Sequence, residues 1–112
     1  MAVYREAELL RIFIGEGDRH DGRPLYEVLV EEARSEGLAG ATVLRGILGF
    51  GAHSLIHTSK VLRLAENLPL VVEIVDTTER VDAFLTRVEG FVTGGLVTRE
   101  RVRIALPGGS ED

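Results

Sequence analysis

The chain contains four strand-like runs, each bounded by glycine or polar residues, with a stretch of helical periodicity after the first run and another after the third. The first run is "LLRIFIG", Leu9 to Gly15, and the second extends from about Ala41 to Leu48. The third is "LPLVVEIVD", Leu68 to Asp76, and the last is "LVTRERVRIAL", Leu96 to Leu106. Runs of this length that are rich in β-branched residues predict strands.

A first helix is predicted between the first two strands. Pro24 suits the first turn of this helix, and Gly37 is a typical C-terminal stop. The residues at helical spacing that would face the core are Leu25, Val28, Leu29 and Ala33.

A second helix is predicted in "DTTERVDAFLTRVEGFV", which begins at Asp76. Asp76 or Thr77 can act as its N-cap, with Glu79 available for a capping box. The expected buried stripe consists of Val81, Phe84, Leu85 and Val88.

The resulting order, β-α-β-β-α-β, is the pattern of a ferredoxin-like α+β fold. We therefore expect a four-stranded antiparallel sheet with two helices on one face. A chain of 112 residues is predicted to form one domain, residues 1–112. Its core is expected at about 8–106, and 107–112 reads as a flexible, solvated tail.

The first three strands are largely apolar on both sides, although two helices can cover only one sheet face. Leu9, Arg11 and Phe13 share one side of the first strand, as Val71, Glu73 and Val75 share one side of the third. The uncovered face is either a solvated antiparallel face or an oligomer interface, and we favour the interface. Glu73 would then pair with Arg11 or with an arginine of the last strand.

Composition excludes several classes of function. The net charge of −5 argues against non-specific nucleic-acid binding, and the absence of cysteine excludes disulfides and thiolate metal sites. The absence of cysteine leads us to expect a cytoplasmic protein. We expect no membrane insertion, because charges interrupt the apolar N-terminal stretch. No nucleophile elbow, Walker loop or paired-carboxylate set is present, so we do not expect an enzyme; a small enzyme is the least favoured alternative.

A long polar loop follows the second strand and extends from Gly49 to Asn67. Glycines at 49 and 51 expose backbone N–H groups that suit an anion. The alternative is that "GFG" merely ends the strand, with Phe50 in the core. By contrast, "EGDRHDGR", which follows the first strand, reads as a solvated turn.

His53 and His57 are four residues apart and could share a helix face as metal ligands, which makes a metal-binding module the alternative function. Hydrogen bonding at the surface is the simpler interpretation of both histidines. The best candidates for phosphate or carboxylate contacts are Arg45, Lys60, Arg63, Arg99, Arg101 and Arg103. Each of these could instead form an ordinary ion pair with one of the 18 acidic residues.

Several separated motifs resemble one superfamily. "GFG" after a strand, a loop, and "LP" leading into "VVEIVD" resemble the PII (GlnB-like) signalling proteins. "RIFIGE", "GRPLYE", "GLAGATVLRGILGFG", "IHT" and "NLPLVVEIVD" are similar to the uncharacterised branch called domain-of-unknown-function family 190. The likeness extends over roughly residues 9 to 105.

This resemblance implies a compact homotrimer with the sheets towards its centre. It also implies a small anionic ligand, such as an adenine nucleotide, in clefts between subunits. The loop would act on a partner protein, with membrane transport proteins among the candidates. The loop has no tyrosine for uridylylation, and the segment at Thr93 lacks the phosphate-binding lysines of PII proteins. The expected ligand-binding residues are Arg45, Gly49, Phe50, Gly51, His53, His57, Lys60, Thr93, Gly94, Gly95, Arg99 and Arg101.

Overall fold

The computed structural model describes residues 3–50 and 67–106. Its elements in chain order are β1 (Val3–Gly15), β2 (Arg19–His20), β3 (Arg23–Pro24), α1 (Leu25–Ser35), β4 (Ala41–Arg45), β5 (Pro69–Asp76), α2 (Thr78–Val88) and β6 (Leu96–Leu106). Within these ranges, neither helix is long and apolar enough to cross a membrane.

The main sheet has four strands in the order β4-β5-β1-β6, and every neighbouring pair is antiparallel. Leu10 lies opposite Ile74 in the central pair of strands, and Ile12 lies opposite Val72. Both helices cover the face that carries these residues. The structure thus confirms the predicted ferredoxin-like α+β fold.

The core lies between this sheet face and the two helices. Its largest fully buried side chains are Phe84, Leu10, Ile12, Leu29, Ile74, Val72, Val81 and Val88. Each such side chain contributes roughly 1.5–3 kcal/mol by leaving water. The predicted stripe of α2 is confirmed at Val81, Phe84 and Val88, whereas Leu85 is only partly buried at the margin of the core.

Cap residues explain where α1 ends and where α2 begins. Gly37 has a φ of +77°, and the N–H of Leu38 donates to the Ala33 carbonyl at 3.0 Å, which is a Schellman C-cap. At α2, Thr77 is the N-cap and its hydroxyl accepts from the Arg80 N–H at 3.3 Å. The capping box predicted for Glu79 is wrong, because a cap at Thr77 places Arg80 at the third helical position.

Three predicted boundaries differ from the structure. β1 begins at Val3 instead of Leu9, because Val3 pairs with Leu106 and the whole of β6 extends the ladder. β4 ends at Arg45 instead of Leu48, beside Pro69, which has no N–H to continue the ladder. The residues after Val88 form turns instead of continuing α2.

The uncovered sheet face carries cross-strand rows of alternating character. One row is apolar and crosses all four strands through Leu44, Val71, Phe13 and Leu96. The next is polar and consists of Thr42, Glu73, Arg11 and Thr98. Leu44 is 47% exposed and Leu96 is 60% exposed, so the apolar row faces solvent in the single chain.

The predicted ion pair on this face is formed by Arg11, whose Nε donates to Glu73 at 2.9 Å. The other predicted partner, an arginine of the last strand, is wrong. Arg99 lies opposite Leu10 and therefore on the helix side, and Arg101 and Arg103 share that side by alternation. The acidic residue that β6 adds to the uncovered face is Glu100, which accepts from Arg11 at 2.6 Å.

Candidate ligand cleft

A small β-hairpin separates β1 from α1. Its two turn residues, Asp21 and Gly22, have φ angles of +51° and +79°. Positive φ at both central residues is typical of a type I′ turn, for which Asp-Gly is a preferred sequence. The Leu25 N–H donates to the Asp18 carbonyl at 2.8 Å, which ties the hairpin to the start of α1. The segment predicted as a solvated turn does contain an exposed turn at Asp21 and Gly22, and the two short strands that flank this turn were not predicted.

The hairpin packs against the segment that follows α2. The ring of His20 stacks on Phe91, with centroids 4.1 Å apart and an interplanar angle of 29°. This contact holds the hairpin next to the glycine-containing segment Thr93–Gly95. A face of the hairpin thereby becomes a wall of a cleft.

The cleft between the hairpin and this segment has a volume of about 260 Å³. It is lined by Ile14, Asp18, Arg19, Leu25, Phe91, Val92, Thr93, Gly94 and Gly95. Three of the predicted site residues, Thr93, Gly94 and Gly95, thus lie together. Sequence reasoning missed Asp18 and Arg19, although Asp21-Gly22 was a recognisable hairpin signal.

Gly95 passes too close to β1 for any side chain. A Cβ atom there would lie 2.6 Å from the Phe13 carbonyl oxygen and 2.8 Å from Cγ1 of Val92. The Phe13 oxygen belongs to the backbone of a central strand and cannot move aside cheaply. The close approach therefore fixes the position of this wall of the cleft.

We expect Gly95→Ala to lower the free energy of unfolding by about 1–3 kcal/mol, because overpacking forces the backbone to shift. Chemical denaturation at a fixed protein concentration measures the effect. Gly90→Ala is the matched control, since a Cβ at Gly90 meets nothing within 4 Å. Equal stability of the two variants would contradict the described position of the segment.

The root of the Gly49–Asn67 loop lies beside the same turn that closes the cleft, Gly15–Asp18. On one side, Arg45 forms an ion pair with Glu16. On the other side, the Gly17 N–H donates to Oδ1 of Asn67 at 2.9 Å. Oδ2 of Asp18, a residue that lines the cleft, accepts from the Gly15 N–H at 3.0 Å. One short turn therefore contacts the end of β4, which leads into the loop, and the last residue of the loop, and it supplies one residue of the cleft lining.

The start of the loop is described as far as Phe50. A Cβ at Gly49 would lie 3.2 Å from Cγ of Pro69, so this glycine packs closely against the start of β5. Phe50 is 80% exposed, which contradicts the alternative that placed it in the core. Four other predicted site residues lie outside the described residues: Gly51, His53, His57 and Lys60. The metal-binding alternative, which needs both histidines, stays a prediction; residues 3–50 and 67–106 contain no cluster of three potential metal ligands.

Arg99 and Arg101 do not line this cleft. Arg99 donates to Glu8 at 2.6 Å and to Asp82 at 2.7 Å, and so links β6 to β1 and α2. The hydrogen bond to Glu8 raises the pKa of the Arg99 guanidinium and, reciprocally, lowers the pKa of the Glu8 carboxyl. These contacts give Arg99 a structural role, and ligand binding by Arg99 and Arg101 stays a prediction.

The lowered pKa of Glu8 predicts a loss of stability in acid. Glu8 is more acidic in the folded chain, so its contribution is complete above the ordinary pKa of 4.5 and disappears as pH falls through the lowered value. We expect Glu8→Gln to melt below the wild type at pH 7 and to approach it near pH 3. Glu6→Gln, at an exposed position of β1, is the control and should follow the wild type throughout. A difference in melting temperature between Glu8→Gln and the wild type that does not change with pH would refute this role.

Comparison with solved structures identifies the class of the fold. CPII from Thiomonas intermedia K12, a nitrogen regulatory PII-like protein, matches in its apo form with a TM-score of 0.66 and 14% identity, covering 96% of this chain and 100% of that one. CPII bound to ADP and bicarbonate matches with a TM-score of 0.69 and 16% identity, covering 94% of each chain. The chain has a PII-like fold.

Sequence comparison identifies the family. Residues 7–104 match DUF190, described as "Uncharacterized ACR, COG1993". A UPF0166 protein from Aquifex aeolicus (strain VF5) is 42% identical over 97 residues, which cover 87% of this chain and 91% of the relative. A UPF0166 protein from Methanocaldococcus jannaschii is 33% identical over 93 residues, which cover 82% and 85% of the two chains. The chain belongs to the DUF190 family, as its motifs predicted.

Proposed function

We propose that this chain is the subunit of a homotrimeric PII-like regulatory protein that binds a small anionic ligand and signals through the Gly49–Asn67 loop. The observation that carries the proposal is the Gly15–Asp18 turn, which includes the cleft residue Asp18 and contacts Arg45, at the end of β4, and Asn67, at the end of the loop. A ligand in the cleft would contact this turn directly, because Asp18 lines the cleft. The proposal assigns binding to the protein and no catalysis.

An adenine nucleotide is the first candidate for the ligand. CPII, which shares the fold, has been solved with ADP, AMP and bicarbonate bound. The cleft of this chain, at about 260 Å³, is smaller than the roughly 300–1,000 Å³ of typical small-molecule sites. A single chain therefore offers only part of a nucleotide site, and a neighbouring subunit would complete it.

The uncovered sheet face supports the trimer. Its apolar row leaves Leu44, Phe13 and Leu96 exposed in the single chain. The adjacent polar row contains the Arg11–Glu73 pair, so its charges are already matched when the face is covered. Exposed apolar rows of this kind favour association between copies of a chain.

The contacts at the root of the loop explain how ligand binding could change the interaction with a partner protein. A shift of the Gly15–Asp18 turn would change the Glu16–Arg45 ion pair on one side of the loop. It would also change the Gly17–Asn67 hydrogen bond on the other side. A ligand that binds one arrangement of this root more tightly shifts the population of loop conformations. A partner protein that binds the loop would then respond to the ligand. Membrane transport proteins are one candidate class of partner.

Isothermal titration calorimetry of the purified protein with ADP, AMP and bicarbonate tests the proposal, with the mass in solution measured by light scattering. We expect a mass of three chains and saturable binding of one adenine nucleotide per chain. Gly90→Ala, whose glycine lies apart from the cleft lining, should bind as the wild type does. A monomer that binds none of the three ligands would overturn the proposal.

A further inference from the structure

The uncovered sheet face carries four charged side chains on its strands. By the alternation of side chains along each strand, they are Arg5 and Arg11 of β1, Glu73 of β5 and Glu100 of β6. The remaining strand residues on this face, all within the described ranges, are apolar or uncharged. The face is therefore neutral as a whole, and the placement of its four charges decides what it can bind.

Three of these charges form one cluster on the face. Arg11 donates from Nε to Glu73 at 2.9 Å and from Nη1 to Oε1 of Glu100 at 2.6 Å. Two carboxylates thus share one guanidinium, so the cluster has an excess of one negative charge. The Glu100 side chain is 57% exposed, against 28% for Glu73, and no hydrogen bond between described residues uses its Oε2 atom. The cluster therefore offers a carboxylate oxygen to a second cation.

The fourth charge, Arg5, lies apart from this cluster. It pairs with Ile104 in a part of β1 that extends beyond the ladder with β5, which begins at Glu8. Arg5 is four residues from Leu9, the residue opposite Glu100, which corresponds to roughly 13 Å along the strand. The ion pairs between described residues do not include Arg5, and its Nε atom is buried without an acceptor. Because a buried donor without a partner is costly, Arg5 requires an acceptor that the described part of one chain does not supply.

The surroundings of Arg5 favour a second copy of the chain as the source of this acceptor. Ile104, which lies opposite Arg5, lines a groove of about 480 Å³ together with Val75 and Thr42. The apolar row that includes Phe13 is exposed on the same face. A small anion would satisfy Arg5 but leave this apolar surface in water. A second copy brings both a matching apolar row and a carboxylate cluster with an excess negative charge.

We infer that Arg5 of one copy forms an ion pair with Glu100 of the next copy, and that this pair fixes how the copies meet. The unpaired positive charge of one face thereby neutralises the excess negative charge of the Arg11 cluster on the other. The fork of Arg5 can bind Oε2 of Glu100 while Arg11 keeps Oε1. In a closed ring each copy gives one Arg5 and receives one Glu100, so every pair is satisfied. The inference rests on the proposed function, because it names a contact by which the proposed trimer forms.

A double-mutant cycle on association tests this pair, with Arg5→Ala, Glu100→Ala and the two substitutions combined. Sedimentation velocity over a range of protein concentrations measures the association constant of each variant. Each single substitution is expected to weaken association about 10- to 100-fold, because it leaves the other charge unpaired in the interface. The double variant should be weakened no more than the weaker of the two single variants, since both remove the same contact. The loss of the Arg11 contact within one copy occurs in both arms of the cycle and cancels.

Arg34→Ala is the matched control for Arg5→Ala. Arg34 is exposed on α1, on the other side of the sheet, and it too is absent from the ion pairs of the described residues. Its variant should associate as the wild type does. Arg5→Lys, which keeps the charge, should recover part of the affinity. Circular dichroism should show that every variant is folded, because Arg5 is only partly buried and Glu100 is exposed.

The outcomes separate this inference from the function on which it rests. Additive losses in the double variant, or wild-type affinity in Arg5→Ala, would overturn the ion pair and leave the proposed trimer standing. A wild type that sediments as a single chain at every concentration would overturn both. Raising the salt concentration should weaken association of the wild type more than that of the double variant. Equal salt dependence of the two would count against the pair.

Discussion

Replacing Phe84 by alanine is expected to lower the free energy of unfolding by about 3–5 kcal/mol. Phe84 is fully buried on α2 and belongs to the core cluster that includes Leu10 and Ile12 of β1. Truncation removes the largest side chain of this core and leaves a cavity that the surrounding strands cannot fill. Urea denaturation followed by circular dichroism measures the loss, with the protein concentration held constant because association would add to stability.

The matched control is Phe50→Ala, the same chemical change at a side chain that is 80% exposed. We expect it to change the free energy of unfolding by no more than about 0.5 kcal/mol. A loss below about 1 kcal/mol for Phe84→Ala would contradict the described core. Since a misfolded variant would also look unstable, Phe84→Leu should recover most of the stability.

Introducing an acidic residue on the uncovered sheet face, as Leu44→Asp, is expected to convert the proposed trimer into single chains. Leu44 lies at one end of the apolar row, opposite Val71, and is 47% exposed in the single chain. The substitution should therefore leave the subunit folded while burying three new charges in a trimeric interface. Each unpaired charge costs several kcal/mol, so dissociation should become at least about 100-fold easier. Sedimentation velocity at several protein concentrations measures the change.

Val97→Asp provides the control for this experiment. Val97 is 38% exposed on β6, but it lies opposite Ile12 and therefore on the helix side of the sheet. A charge there should leave association unchanged if the uncovered face is the interface. Dissociation caused by Val97→Asp and not by Leu44→Asp would assign the interface to the other face. A wild type that sediments as a single chain at every concentration would refute the trimer.

The fold followed from the sequence because its signals are local. The bounds of the last strand, Leu96 to Leu106, were predicted correctly, since "TGG" ends the preceding segment and β-branched residues recur after it. Gly37 and Thr77 mark helix ends by their own backbone and side-chain chemistry. Such features need no knowledge of the rest of the chain.

The cleft depends on contacts that local patterns do not encode. His20 stacks on Phe91 across most of the chain, and no periodicity in either segment indicates this contact. The side on which Arg99 lies depends on the pairing of β6 with β1, so it could not be assigned before the register was known. The two short strands beside the predicted turn could have been recognised, because Asp21-Gly22 is a local signal for a β-hairpin.

In the proposed function, a ligand in the Thr93–Gly95 cleft acts on the root of the Gly49–Asn67 loop through the Gly15–Asp18 turn. The most direct test is a titration of the isotopically labelled protein with ADP, followed by the backbone amide resonances. We expect saturable shifts at Thr93–Gly95 and, at the same ligand concentrations, at Gly17 and Asn67, where the hydrogen bond between turn and loop is formed. Shifts confined to a distant surface, or shifts in the cleft that leave Gly17 and Asn67 unchanged, would contradict it.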